Sequence, residues 1–357
     1  MSRVKVAVVG CGHLGSIHAR LLAARPDVEL VAVVDPSSEA RHRVSQTHGC
    51  RSLPEPADLA GVADAVVVAA PTLLHTSVSL PLLEAGIDLL IEKPITADVA
   101  EGRMVVEAAR RAGRVVAVGH VERFNPAWSA AVERCGRVVA VEASRLAPFT
   151  FRSLDVGAVL DLMIHDIDLV LSLEPGVLEH VEAHGLVATG GHEDAARARL
   201  VFSSGLVADL SASRIHPTLT RRVSLWGSRA VVSADFNAKT VEVVSASGGV
   251  LRGEFDAERI PPAERAGLKE RFFTEIMPRE TVAVPDANAI ACEHDDFIAA
   301  VRSRGTPRVS AAAGVAALDV AARILDAMRS TRFGDDRPAA SAPLPSPAPA
   351  VPRRKVA

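Results

Sequence analysis

Tyrosine is absent from this chain of 357 residues, and all aromatics together make up only 3%. Dehydrogenase schemes that use a tyrosine hydroxyl as proton donor, including the short-chain type with its Tyr-x-x-x-Lys pair, are thereby excluded. Any proton moved here must be carried by His, Lys, Asp, Glu or Cys. The scarcity of aromatics leaves no stacking platform for bases. The 40 basic and 43 acidic residues, net −3, are well mixed with no basic face, so nucleic acid is not an expected partner. Cysteine is sparse: Cys11, Cys50, Cys135 and Cys292 stand far apart, with no Cys-x-x-Cys pair and no His/Cys cluster. That points to a reducing cytoplasm and away from a structural metal. No apolar run approaches the ~18 residues of a membrane helix, so no membrane partner is expected. The chain also enters a strand too early to leave room for a signal peptide.

What is present is ample apolar material, 48% of the residues, in a chain long enough for two domains with separate cores. The first third alternates strand and helix patterns, as an open parallel sheet does. An apolar strand Val4–Val9 runs into Gly10-Cys11-Gly12-His13-Leu14-Gly15, followed by a helical stretch Ser16–Ala24. A Gly-x-Gly-x-x-Gly loop between strand and helix lets the backbone approach a pyrophosphate, which then meets unpaired N–H groups at the helix N-terminus. The next strand, Val28–Val34, ends on Asp35, twenty residues beyond Gly15. A carboxylate there accepts the ribose hydroxyls and repels a 2′-phosphate, which favours NAD over NADP, with Arg41 and Arg43 nearby as the opposing consideration.

Further strands are expected at Ala65–Ala70, closed by Pro71-Thr72, at Ile87–Ile91 and at Val115–Val118, with helices near Thr76–Ala85 and Ala97–Ala112. Gly119-His120 breaks the pattern, placing a dinucleotide-binding domain at 1–120. From Val138 the strands alternate apolar with polar residues, the mark of an antiparallel sheet with one covered face. They run Val138–Arg145, His180–Leu186, Ala195–Phe202, Leu206–Arg214, Arg222–Trp226, Ala230–Ala234 and Thr240–Val244, with helices near Val159–Leu173, Ala289–Val301 and Ala311–Met328. The fold class expected is thus a Rossmann domain followed by a second α/β domain, 121–332, whose large open sheet carries helices on one side and offers its other face as a subunit interface. Residues 333–357 are rich in Ala, Ser and Pro and end in Arg353-Arg354-Lys355. They are expected to be a disordered, solvated tail.

Chemistry concentrates where strands of the first domain end. Glu92-Lys93-Pro94 closes the strand Ile87–Ile91, so Lys93 is delivered beside the cofactor, and the bond before Pro94 can be cis. Asp161 and His165, four residues apart on an apolar helix, share a face, where the carboxylate can orient the imidazole as a general base. Asp166 and Asp168 read as helix-surface or interdomain contacts. Between these motifs, His120-Val121-Glu122-Arg123-Phe124-Asn125-Pro126 faces both cofactor and substrate. Arg123 and Asn125 either hydrogen-bond a polar ligand or cap the following helix. Expected cofactor contacts are Gly10, Gly12, His13, Leu14, Gly15, Asp35, Pro71, Thr72, His75, Glu92 and Lys93. Expected substrate contacts are Arg123, Asn125, Arg145, Arg152 and His165, the two arginines at 145 and 152 suiting a diphosphate.

These motifs, in this order, resemble the Gfo/Idh/MocA family of oxidoreductases over roughly residues 3 to 330. The glycine loop, Glu92-Lys93-Pro94 and the Asp-x-x-x-His of Asp161 and His165 carry the resemblance. It implies NAD as cofactor, a reaction centre of Lys93, Asp161 and His165, and homodimers or homotetramers formed through the C-terminal sheet. Within the family, the stretches 118–126 and 159–168 are similar to a narrower group that oxidises C3 of UDP-N-acetylglucosamine ahead of transamination to a 3-amino sugar for lipid A. An inositol- or free-sugar-type dehydrogenase is the alternative enzyme reading. A non-catalytic nucleotide-binding regulator is the alternative of another class.

Overall fold

The structure is a computed structural model and describes residues 2–151 and 153–333. The expectations for the 333–357 tail beyond Phe333, and for Arg152, lie outside the described residues. The first domain runs β1 (Val4–Val9), α1 (His13–Ala23), β2 (Val28–Val34), α2 (Ser38–His48), β3 (Arg51–Leu53), β4 (Ala65–Val68), α3 (His75–Glu84), β5 (Asp88–Glu92), α4 (Val99–Ala112) and β6 (Val116–Gly119). All six strands are parallel, in the order β3-β2-β1-β4-β5-β6. Strands with helices on both sides are covered on both faces, which is why β1, β4 and β5 read as nearly unbroken Val, Leu and Ile.

The α2–β3 excursion was not legible in the pattern. In α2 only Val44 and Ser45 are buried, so no apolar stripe marks it. It is held instead by Ser37, whose side chain accepts the Ala40 N–H, and by left-handed Gly49 at its end.

The second domain continues with α5 (Pro126–Cys135), β7 (Val138–Leu146), α6 (Ile164–Leu171), β8 (Leu178–Val187), β9 (Ala195–Phe202), β10 (Val207–Ser213), β11 (Thr220–Gly227), β12 (Ala230–Asp235) and β13 (Thr240–Ser245). A helical excursion with α7 (Gly248–Leu251) and α8 (Pro262–Arg271) then leads to β14 (Arg279–Val282), α9 (Ala289–Ser303), α10 (Ala311–Ala327) and β15 (Met328–Arg332). The nine strands form one mixed sheet, β14-β13-β12-β11-β7-β10-β9-β8-β15, antiparallel except where β7 meets β10 and β8 meets β15. Helices α5, α6 and α10 share a core with one face. The opposite face is largely charged, with cross-strand pairs such as Arg199–Asp209 and Arg222–Asp235, and exposes Trp226 beside Val231. Among the described residues no helix is long and apolar enough to cross a membrane.

The chain does not stay in the second domain to residue 332. Phe297, Ile298, Ala300 and Val301 of α9 bury against Val6, Val8 and Val33 of the first sheet. Val309, Ala311 and Leu318 pack on its other face with Val118. Ser310 forms a bridge to Ala117, and the Val118 N–H donates to Val309. A boundary at residue 120 therefore misses the return of residues 289–318, whose apolar surface is completed only by the first sheet.

Candidate active site

The glycine loop has the geometry that a dinucleotide requires. Gly10 has φ +96°, and a Cβ there would lie 2.5 Å from the Ala69 carbonyl oxygen. At Gly15 a Cβ would lie 1.8 Å from the Gly10 carbonyl oxygen, so only glycine lets α1 sit this close to β1. Helix α1 begins at His13 with no side-chain cap at Gly12, which leaves its first-turn N–H groups for an anionic ligand. His13 is exposed and Leu14 half-buried beside them. The Asp35 carboxylate accepts the Cys11 N–H at 2.7 Å and the Ser37 N–H at 2.8 Å, so it shapes the loop while keeping lone pairs for ribose hydroxyls. Arg41 lies alongside, donating to the Asp35 and Pro36 carbonyls at 3.1 Å each. The Cys11 thiol is pushed up to about 12 by burial and by Asp35, so it is an inert packing group.

After β4, Pro71 is exposed and Thr72 buried. His75 is buried as well, its Nδ1 2.9 Å from the Pro94 carbonyl and its Nε2 2.9 Å from the Ala70 carbonyl. It sits between the two loops rather than reaching a ligand, contrary to the expected cofactor contact, because both ring nitrogens face backbone carbonyls and one N–H donates to one of them. Leu73 and Leu74 are instead the exposed apolar side chains of this loop.

Glu92 likewise turns inward. Its Oε1 lies 2.8 Å from His18 Nε2, and His18 Nδ1 lies 2.8 Å from His294 Nε2. Its Oε2 accepts the Lys93 N–H at 3.2 Å. Burial pushes this carboxyl up, but the bond and charge of His18 and the charge of Lys93 hold it below its ordinary value. Glu92 is therefore a buried strut behind Lys93, not the cofactor contact expected. His18 and His294 come from α1 and α9. A histidine inside an apolar helix carries no signal of such a role. Behind them Glu293 is buried with neither oxygen bonded among the described residues, and burial with the nearby Glu92 charge raises its carboxyl well above the ordinary value.

The Lys93–Pro94 bond is cis. Lys93 Nζ donates to the Asp161 carbonyl at 2.7 Å and to Asp161 Oδ1 at 3.1 Å. Residues Val159–Met163 form a wide π-turn ahead of α6, a distortion often found at functional sites. Asp161 thus holds Lys93 and not His165, which corrects the pairing expected from their spacing: a charge-assisted ammonium contact outcompetes a neutral imidazole. Nδ1 of His165 is buried with no hydrogen-bond partner among the described residues, which leaves Nε2 to meet a ligand. The His120 ring stands edge-on to His165 with centroids 6.3 Å apart, and both of its nitrogens are buried without partners among the described residues. Burial, then the charges of Lys93 and Arg145, push His165 well below the ordinary histidine value. At neutral pH it is an uncharged base.

The expected substrate contacts fare differently. Arg145 is 4% exposed, and its guanidinium is spent on Asp166 (Nε at 3.3 and 3.2 Å, Nη2 at 2.8 Å) and Glu122 (Nη1 at 2.8 Å). It cannot serve a diphosphate. The reason lies in β7, where Val141, Ala143 and Arg145 alternate onto the covered face. Asp166 and Asp168 are buried, not on the helix surface, and Asp168 pairs with Arg123 at 3.6 Å. Asn125 caps α5 through the Ala127 N–H at 3.1 Å, and its amide donates to Glu122 at 2.9 Å. Its substrate role is replaced by the capping one.

Known proteins match this architecture. Residues 4–120 match the model described as "Oxidoreductase family, NAD-binding Rossmann fold", and 131–233 match the GFO/IDH/MocA C-terminal domain. UDP-N-acetylglucosamine 3-dehydrogenase of Acidithiobacillus ferrooxidans is 33% identical over 84% of this chain and 90% of its own. Its solved structure superposes with a TM-score of 0.79 over 92% of this chain and 98% of that one, at 31% identity. The scyllo-inositol 2-dehydrogenase (NAD(+)) of Bacillus subtilis is 26% identical over 86% of this chain and 89% of its own. With its NAD-binding Rossmann domain and its nine-stranded second sheet, the chain belongs to the Gfo/Idh/MocA family of oxidoreductases.

Proposed function

We propose that the protein oxidises a secondary alcohol of a sugar nucleotide with NAD, and that the substrate is UDP-N-acetylglucosamine, taken at C3 to the 3-keto sugar. The observation that carries this reading is the 33% identity, over 84% of the chain, to a relative named for that activity. The juxtaposition of Lys93, Asp161 and an uncharged His165 supports it. The glycine loop and Asp35 fit NAD, which supplies the hydride acceptor when bound. His165 Nε2 takes the hydroxyl proton. Lys93, oriented by the backbone carbonyl and Oδ1 of Asp161, stabilises negative charge developing on the substrate oxygen. The 3-keto product then suits transamination to a 3-amino sugar of the lipid A type.

The bare face of the nine-stranded sheet, with Trp226 beside Val231, is the surface we assign to homodimer or homotetramer contact. An inositol- or free-sugar-type dehydrogenase is the second reading. It is favoured by the 26% identity to the inositol enzyme and by the loss of Arg145 as a diphosphate ligand. Incubating the protein with NAD and UDP-N-acetylglucosamine tests the assignment: NADH, or a 3-keto product trapped by a transaminase, is expected. No turnover, beside clear turnover of myo-inositol or glucose, transfers the enzyme to the polyol branch.

A further inference from the structure

With Arg145 consumed inside the fold and Arg152 outside the described residues, a diphosphate needs another cation near the reaction centre, and β11 supplies one. Strand β11 runs antiparallel to β7 with Arg221 directly opposite Arg145. Residues opposite one another across such a pair point to the same face of the sheet. On β7 that face holds Val141, Ala143 and Arg145. On β11 it holds Val223 and Leu225, all of them buried beneath the helices. Arg221 therefore projects on the side that carries α6 and the reaction centre, not on the bare face. Yet Arg221 is exposed, where its neighbour Arg145 is 4% exposed.

Two further observations single this residue out. Arg222, next in sequence, points to the opposite face and pairs with Asp235 at 2.7 Å. The Arg221 side chain has no ion-pair or hydrogen-bond partner among the described residues. Its charge is nonetheless felt at Glu122, His165 and Asp166, which places the guanidinium within electrostatic reach of the catalytic histidine. The inner carboxylates are already bonded by Arg145, so they leave the outer arginine without a contact partner. A planar guanidinium with open donors, exposed on the face that carries the reaction centre, matches a phosphate oxygen pair.

We propose that Arg221 binds the diphosphate of the substrate and thereby sets the preference for a nucleotide-linked sugar over a neutral polyol. This rests on the sugar-nucleotide reading above. The diphosphate lies remote from the carbon being oxidised, so Arg221 contributes binding that is shared by ground state and transition state.

The test uses the full-length protein with Arg221→Ala and Arg221→Lys variants. Steady-state kinetics are measured with NAD and UDP-N-acetylglucosamine, and UDP affinity is measured by calorimetry. Arg221→Ala should raise KM for the sugar nucleotide and weaken UDP binding by about 10- to 100-fold. The value of kcat should change far less, and KM for NAD should hold. Arg221→Lys should recover part of the loss, because it keeps the charge but not the fork. If the wild type binds UDP and Arg221→Ala binds it equally well, the assignment of Arg221 is overturned while the sugar-nucleotide reading stands. A lowered melting temperature with KM intact likewise overturns it, revealing a structural counter-charge. A wild type that neither binds UDP nor oxidises the sugar nucleotide overturns both.

Discussion

Replacing Arg145 with alanine distinguishes a structural arginine from a substrate ligand. The guanidinium donates to Asp166 and Glu122 in the protein interior, with its shortest contacts at 2.8 Å. Removing one member of a buried charge set leaves the others desolvated and unpaired, at a cost of about 3–5 kcal/mol. At roughly 2–4 °C per kcal/mol for a domain of this size, the melting temperature should fall by about 6–20 °C. The pH dependence has a definite sign. In the wild type, burial raises Glu122 but Arg145 more than compensates, holding its carboxyl below the ordinary value. Glu122 therefore adds stability above its unfolded pKa of about 4.3, and that stability is lost as pH falls through the folded value. Asp166 is the opposite case: burial outweighs Arg145 and raises its carboxyl, so its contribution is present at low pH and lost as pH rises through the folded value. In Arg145→Ala both carboxyls should titrate high, and the deficit should shrink on acidification as they become neutral. Thermal unfolding followed by circular dichroism at pH 8 and pH 5 measures both quantities. A variant that melts within about 2 °C of wild type at pH 8, with only its KM for substrate raised, would refute the buried-triad reading and restore Arg145 as a ligand.

Four further outcomes are expected. His165→Ala should lose about 10²–10⁴ in turnover with NAD affinity nearly intact. In the wild type the base limb of the rate should be complete below the usual histidine range, because burial and Lys93 hold His165 well below 6.5; near-normal turnover with an unchanged pH profile would make Lys93 the first candidate for the base. Lys93→Ala should abolish most turnover while keeping NAD binding, and Asp161→Asn should act through Lys93, lowering kcat without moving the His165 limb; a shifted limb in Asp161→Asn would return the carboxylate to His165. Asp35 should confer at least about tenfold preference for NAD, on the order of 1.4 kcal/mol, and equal or better kinetics with NADP would hand that position to Arg41, which already lies against the Asp35 carbonyl.

Local pattern determined a good deal of this protein by itself. The run Val4–Gly15 specifies strand, glycine turn and helix because only glycine fits φ +96° at Gly10 and the 1.8 Å approach at Gly15. The unbroken apolar strands announce a parallel sheet covered on both faces, and the alternation after Val138 announces a sheet with one covered face. The same alternation, read through Val141, Ala143 and Arg145, already carried the sign that Arg145 points inward. What the sequence left undecided was partner choice. Asp161 stands four residues from His165 yet bonds Lys93, 68 residues away. Glu92 sits beside Lys93 yet answers to His18, 74 residues away. Helix α9 belongs to the second half of the chain yet completes the core of the first sheet. Periodicity and turn chemistry act over a few residues and fix the elements. A charged side chain is committed by whichever opposite charge the fold brings within bonding distance, at a desolvation cost that only tertiary packing sets, and so packing alone left Arg145 buried and spent and Arg221 exposed.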